Sequence, residues 1–312
     1  MRGAVLLHLA SGVGNIVFAT PLLAALGELE YAVDLLVDAD YPPTIELLRP
    51  WSLVRDIVSR ADGAAYEHIL PAVPPFYWPR FQRNYRGVAK VVRRPPDGLF
   101  YRNEQEYYLA FARQIGYAAG RRPYYCLPIT AAEQHGVGST TLVMTPGCKT
   151  GEMALKRWPC FAELAARFED VAVVGTGDDM RDAEGNAFRF PSHVRSLADR
   201  LTLRETAEAM AAAGAVVGND SGLSHVAGAL GTPTLILFGP TPHETLGQFP
   251  ENVRVLRAGL ECEPCWFGRR FGACGKRIDC LAQLGVERVE DVLREMMGLK
   301  SSCSRTRPTL IW

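Results

Sequence analysis

The chain has 312 residues, a length that suggests two domains at roughly 100–200 residues each. Its 34 basic and 34 acidic side chains cancel, so the basic surplus that goes with nucleic-acid binding is missing and no nucleic-acid partner is expected. No apolar run approaches the roughly 20 residues of a membrane span, and the short one after Arg2 lacks the small-residue cleavage site of a signal peptide, so a soluble cytoplasmic protein is the expectation.

Ala4 to Leu9 reads as a buried strand, stopped at once by Ser11-Gly-Val-Gly14. A helical pattern runs from Ile16 to Leu29 with Pro21 in its early part, and a second strand covers Tyr31 to Val37. Pro42-Pro43 opens a short helix to Leu48, and Val54–Ser59 and Glu67–Leu70 read as further short strands. From Pro71 to Phe100 the alternation breaks into a stretch rich in Pro, aromatics and Arg, read either as a surface loop packing its own aromatics or as an acceptor-binding lip. A helix from Asn103 to Ile115 closes this half, with acids near its start and Gly116 at its end.

Residues 121–138 are polar and read as a linker. The alternation then restarts: strands at Thr141–Thr145, Val171–Val174, Ala215–Gly218 and Thr234–Phe238, and helices at Pro159–Phe168, Arg204–Ala213, Ser221–Leu230 and Val289–Met297. Two β-loop-α alternations predict two α/β domains with parallel sheets, 1–120 and 139–300, followed by a loosely held tail at 301–312.

The sharpest motif is Val216-Val-Gly-Asn-Asp-Ser-Gly-Leu-Ser-His225, continuing to Pro233. A strand ends, a polar turn follows, and a small-residue helix starts at once. The free N–H groups and dipole of that helix start favour an anion. Gly222 allows close approach of a phosphate, Ser221 offers a hydroxyl, Asp220 is placed to cap the helix or hold a sugar hydroxyl, and His225 lies one turn on. An ordinary capped helix fits the same pattern.

The segment resembles the signature of glycosyltransferase family 9, the heptosyltransferase group: D-S/T-G-x-x-H-x-A-x-A-x-G-x-P, then a strand and G-P-T. Every element is met between Asp220 and Thr241. Ser11 to Asn15 with Ala19 to Leu23 resembles the first loop and helix of that family, Lys156-Arg-Trp-Pro159 its K-x-W-P element, and Val173 to Gly177 its nucleotide-side strand end. The likeness covers most of the chain and is weakest from Pro71 to Phe100. It implies a GT-B fold, two Rossmann-like domains facing across a cleft, with the donor, a nucleoside-diphosphate sugar such as ADP-heptose, on the second domain. It further implies that Lys156 neutralises donor phosphate, that Ser221 and Gly222 hold the diphosphate beside Asp220 and His225, that Thr241, Gly175 and Thr176 line the nucleotide pocket, and that Gly12 and Gly14 of the first loop also bind the donor. The acceptor implied is a lipopolysaccharide core, another glycan, a protein or a small molecule. No cofactor is required for the chemistry. A dehydrogenase is disfavoured because Gly12-x-Gly14 lacks the third glycine of a dinucleotide fingerprint.

One departure stands out. The family places an Asp, thought to be its general base, where this chain has Asn15, and a neutral amide is no proton acceptor. Three readings stay open: Asn15 orients the acceptor while another acid acts, Glu104 and Glu106 being the candidates; leaving-group stabilisation suffices; or the chain binds sugar nucleotide without turnover, as a scaffold. An epimerase-type enzyme transferring to water is a further alternative. Arg80 to Arg94 offers a basic-aromatic stretch for peripheral membrane contact, equally readable as a solvated loop.

Cys262, Cys265, Cys274 and Cys280 crowd the segment 260–282. Four thiolates suit a tetrahedral site that would staple a knuckle too small for its own core, zinc and iron both fitting; reduced thiols and disulfides are the alternatives. Cysteine-bearing tails of this kind occur in some family members, among them the autotransporter heptosyltransferases, which hold iron there. His8 reads as a satisfied core residue, and His68, His135 and His193 have no metal-like spacing.

Overall fold

In the computed structural model, which describes residues 3–60, 65–118, 123–132, 135–149, 155–266, 274 and 279–299, the short apolar runs become the strands of two parallel sheets. The first sheet joins β1 (Ala4–Ser11), β2 (Ala32–Ala39), β3 (Val54–Ile57) and β4 (His68–Ala72) in the order β3-β2-β1-β4. The central strand β1 is covered on both faces, which is why it reads as a continuous rather than an alternating apolar run. The helix after it is broken into α1 (Val13–Phe18) and α2 (Thr20–Glu28). Pro21 sits in the first turn of α2, where its missing N–H leaves no bond unmade.

The stretch after β4 is more than a surface loop. It holds α3 (Trp78–Phe81) and α4 (Asp97–Phe100), and Val91 forms a parallel bridge to Ile69. Phe81 and Tyr85 close over Leu6, Ala10 and Ile69, covering one face of the first sheet. His8, fully buried in β1, bonds Asp38 Oδ2 at 2.8 Å and the Tyr85 hydroxyl, so it is the satisfied core histidine expected. Next comes α5 (Glu104–Gln114), capped by Asn103, whose side chain accepts the Glu106 N–H, and ended by Gly116 at φ +101°.

The second half contributes β5 (Leu142–Thr145), α6 (Phe161–Ala165), β6 (Val171–Val173), β7 (Arg195–Ser196), α7 (Leu203–Ala212), β8 (Ala215–Asn219), α8 (Gly222–Ala229), β9 (Thr234–Leu237) and β10 (Val253–Leu256). Its sheet runs β10-β9-β8-β5-β6-β7, every pairing parallel. The edge strands β7 and β10 escape the apolar pattern, one being two residues long and the other half wet. Two C-terminal helices, α9 (Asp279–Ala282) and α10 (Val286–Met296), bring Leu281, Val289 and Leu293 onto the face holding Trp158 and Val217. Among the described residues no helix is long and apolar enough to cross a membrane.

The connection between halves is less polar than its composition implies. Tyr125, Leu127 and Ile129 are buried in alternation, the Cys126 N–H bonds Thr20 Oγ1 at 3.0 Å, and the Leu127 N–H bonds the Ala229 carbonyl at 2.8 Å. Parts of the predicted linker, parts of the cysteine-rich segment between its cysteines, and the tail at 301–312 lie outside the described residues.

Candidate active site between the two halves

At the end of β8 the chain turns through Asp220 into α8. The helix N-cap position belongs to Ser221, which makes no side-chain cap bond, so Asp220 does not cap the helix. Its carboxylate is a hub. Lys156 Nζ reaches Oδ2 at 2.8 Å, Thr241 Oγ1 donates to the same oxygen at 2.7 Å, and His225 Nε2 meets Oδ1 at 3.0 Å. Burial by itself would raise the Asp220 pKa. The Lys156 charge and the His225 contact overturn that and hold it far below the usual carboxylate range. The His225 ring lies against Phe18 at 4.6 Å and stacks on Phe249 at 6.2 Å between ring centres, which fixes its rotamer. The Lys156 ammonium has three donors, of which Asp220 takes one.

Opposite stands the loop after β1. Ser11 holds φ +100°, a strained value for a side-chain-bearing residue, costing of order 1–3 kcal/mol. Its hydroxyl donates to Asn15 Oδ1 at 2.9 Å, turning the amide so that Nδ2 donates to Glu104 Oε1 at 2.7 Å. One turn further along α5, the Tyr108 hydroxyl donates to the same Glu104 oxygen at 3.4 Å. Burial pushes the Glu104 pKa up to about 7; the bonds from Asn15 and Tyr108 pull against it, and the nearby negative charge of Asp220 adds to the rise. Glu106, the other candidate acid, is engaged instead with Arg113.

The two loops meet glycine to glycine. A Cβ on Gly222 would lie 2.8 Å from Val13 Cβ, and one on Gly14 would lie 3.5 Å from His225 Cδ2 and 3.8 Å from Gly222 Cα. Beside this seam Lys149 Nζ bonds Asp40 Oδ2 at 2.6 Å, and the Tyr77 hydroxyl bonds the other Asp40 oxygen, so an ion pair spans the halves next to Gly12.

Gly12, Gly14, Asn15, Glu104, Lys156, Asp220, Ser221, Gly222, His225 and Thr241 are thus brought to one seam. Gly175 and Thr176 follow β6, which is separated from β8 by β5. Gly175 adopts φ +130° after β6, and the Thr176 N–H bonds Asp179 Oδ2 at 2.8 Å. Sequence reasoning missed the residues that join these loops. Buried Arg157 donates to the carbonyls of Asp178 (2.7 Å), Arg181 (3.0 Å) and Cys148 (3.0 Å). Asn219, fully buried, accepts the Trp158 N–H at 2.9 Å and donates to the Pro146 carbonyl at 2.6 Å, setting the Lys156 loop against the strand that carries Asp220. Both stand inside the sequence motifs, but each adjoins a charged residue, Lys156 or Asp220, so no local sequence signal marks either as buried.

The cysteine segment docks on the turn that carries Thr241. The Cys265 and Trp266 N–H groups bond the Pro240 carbonyl at 3.0 and 2.8 Å. Burial, then repulsion from Cys262 and Cys274, raises the Cys265 thiol, and burial with Glu263, Cys265 and Cys274 pushes Cys280 up to about 12. Among the described residues, no three or more His, Cys, Asp or Glu side chains are arranged to hold a metal ion.

Two parallel α/β sheets meeting at a polar seam define the GT-B class of glycosyltransferases, and solved structures of that class share the fold. The Escherichia coli ADP-heptose lipopolysaccharide heptosyltransferase II superposes with a TM-score of 0.68 at 22% identity, over 94% of this chain and 98% of that one. The iron-containing dodecameric glycosyltransferase TibC of enterotoxigenic E. coli H10407 gives 0.66 at 15%, over 95% of this chain and 76% of that one. In sequence, lipopolysaccharide heptosyltransferase 2 of E. coli K12 is 30% identical over 196 residues, 58% of this chain and 51% of that protein. The chain spans about half the length of the curated relatives it matches. The family described as glycosyltransferase family 9 (heptosyltransferase) matches residues 106–269, and the chain belongs to that family.

Proposed function

We propose that the chain is a glycosyltransferase that moves a sugar, a heptose, from an ADP-activated donor to a hydroxyl of a lipopolysaccharide core or related glycan. The observation that carries this reading is the convergence of Lys156, His225 and Thr241 on Asp220 at the start of α8, directly across the seam from Asn15 and Glu104. The first N–H groups of α8 have no partner within the helix and suit a diphosphate. Lys156 neutralises the charge that grows on the departing diphosphate, so this chemistry demands no divalent metal. Gly175 and Thr176 lie on the nucleotide side, at the C-terminal ends of the strands. Family membership supports the reaction class, and the ADP-heptose in the name of the E. coli relative supports the donor.

The test is a thermal-shift screen of ADP, UDP, GDP and CDP with their sugar conjugates, against wild type and Lys156→Ala. We expect the ADP class alone to stabilise the protein and the variant to lose the effect. Heptose-deficient lipopolysaccharide then serves as acceptor. Binding without product under any pairing marks a scaffold, and donor consumption that ignores acceptor marks an epimerase or hydrolase.

The same reading places the protein in the cytoplasm, at the inner membrane where such an acceptor resides. Arg80, Arg83, Arg86, Lys90, Arg93 and Arg94 follow one another with no acid between Glu67 and Asp97, and Phe76 and Tyr101 are exposed near them. We expect retention on anionic-lipid vesicles at low salt and release at high salt; equal recovery from neutral vesicles sinks the membrane contact.

For the segment 260–282, four thiols suit zinc or iron. Their side chains are not gathered into a ligand set among the described residues, so no step of the reaction is routed through a metal. The proposal is structural: Cys262, Cys265, Cys274 and Cys280 hold one ion that stiffens the turn carrying Thr241. Less than one equivalent of metal after gentle purification, together with an unchanged melting temperature in chelator, removes it.

A further inference from the structure

We propose that Glu104 is the general base of this chain, in place of the carboxylate that family members carry at the position of Asn15, and that Asn15 and Ser11 are its positioning residues. The inference rests on the glycosyltransferase reading above and goes beyond it by naming the proton acceptor.

Five carboxylate side chains are buried among the described residues: Asp34, Glu104, Asp220, Glu290 and Glu263, the last paired with Arg257. Asp34 is paired with Arg55, Asp220 with Lys156, and Glu290 with Arg294. Glu104 has no cationic partner among the described residues; its bonds come from the neutral groups of Asn15 and Tyr108. A buried carboxylate without a countercharge costs stability, and such groups cluster where chemistry needs them. Its place fits the task. Glu104 stands at the first residue of α5, on the acceptor side, near enough to Asp220 across the seam to feel its charge. The Ser11–Asn15 bond explains the amide: it fixes which end of Asn15 meets Glu104, so the carboxylate is aimed by a donor that does not neutralise it.

The titratable groups facing Glu104 are Tyr108 on its own helix and Asp220 from the second half; Lys156 and His225 are bonded to Asp220 rather than to Glu104. Its pKa of about 7 leaves a substantial fraction ionised at neutral pH and basic enough to accept a proton. In the step, the acceptor hydroxyl passes its proton to the Glu104 carboxylate while its oxygen bonds the anomeric carbon. The bond from that carbon to the diphosphate oxygen breaks, and its electron pair leaves with the nucleoside diphosphate. The neutral Glu104 acid releases its proton to solvent after product departs.

The experiment measures ADP release from ADP-heptose between pH 5 and 9, with heptose-deficient lipopolysaccharide and with water as the sole acceptor. Wild type, Glu104→Gln, Asn15→Ala and the double variant Asn15→Asp/Glu104→Gln are compared, and donor affinity is read separately by calorimetry. We expect Glu104→Gln to lower kcat by about 10²–10⁴-fold with donor Kd unchanged. The double variant recovers part of that loss by returning a carboxylate to the family position. Asn15→Ala removes a bond that lowers the Glu104 pKa, so the acidic limb of kcat/KM, near pH 7 in wild type, moves to higher pH; a merely structural role would leave the limb in place. A Glu104→Gln enzyme as active as wild type, or an acidic limb unmoved in Asn15→Ala, overturns the base alone. A wild type that neither binds donor nor releases ADP overturns the transferase reading and the base with it.

Discussion

Asp220 and Glu104 face each other across the seam, and burial raises the proton affinity of both, yet the two end on opposite sides of the ordinary carboxylate value. At Asp220 a lysine, an imidazole and a hydroxyl outweigh desolvation and keep the carboxylate ionised. At Glu104 an amide and a phenol do not, and the group titrates near neutrality. Depth alone therefore decides little; the charge of the nearest partner decides whether a buried acid is a fixed anion or a proton acceptor.

The largest expected effect breaks the Asp220 side. Lys156→Met leaves a buried anion without its countercharge and should cost roughly 3–5 kcal/mol, read by urea denaturation at pH 7. A loss below 1 kcal/mol would show that His225 and Thr241 suffice. The sign with pH is set by the shift. Because the Asp220 pKa lies below its unfolded value of 3.8, its contribution is present above that value and lost as pH falls through the folded one.

Glu104 runs the other way. Its folded pKa of about 7 exceeds the ordinary 4.5, so the native state holds the proton more tightly. The cost of ionising it builds between those two values and is complete above the upper one. Glu104→Gln should therefore stabilise the protein at pH 8.5 by up to roughly 3 kcal/mol relative to its effect at pH 4, while removing activity. Parallel pH–stability curves for the two proteins would mean that Glu104 is not perturbed.

Thr241→Val removes one hydrogen bond to the Asp220 carboxylate and should cost about 1.5–3 kcal/mol, with weaker donor binding. At the exposed edge, Lys149→Ala cuts the ion pair to Asp40 and should change stability by at most about 1 kcal/mol, an effect that salt erases. A salt-insensitive loss would show that Lys149 does more than bridge the halves.

Much of this was legible in the residues. Strand and helix alternation named both parallel sheets, and the motif around Asp220 named the turn that opens α8. The parts that were not legible depend on contacts between distant segments. The edge strands β7 and β10 carry too little apolar pattern to be read. Pro71 to Phe100 looked irregular because its aromatics are spaced to cover His8 and β1, a face belonging to another segment. Asp220 suggested a cap because a turn before a helix favours one; its partners Lys156 and Thr241 arrive from loops 64 and 21 residues away. Glu104 was nameable as an acid near a helix start, yet its bond to Asn15 spans 89 residues and no periodicity encodes it.

The segment between the halves bears on how the molecule comes apart. Its backbone is tied to Thr20 at the start of α2 and to Ala229 at the end of α8, while Tyr125 packs its ring against Phe18 and Phe249. Strain applied to one sheet is therefore delivered to the core of the other, and the largest buried apolar cluster runs through both. Two α/β units joined by a loose tether would melt separately, each at its own temperature. Sewn together in this way, they should melt as a single calorimetric unit, with amide exchange in β1 and β8 governed by the same opening.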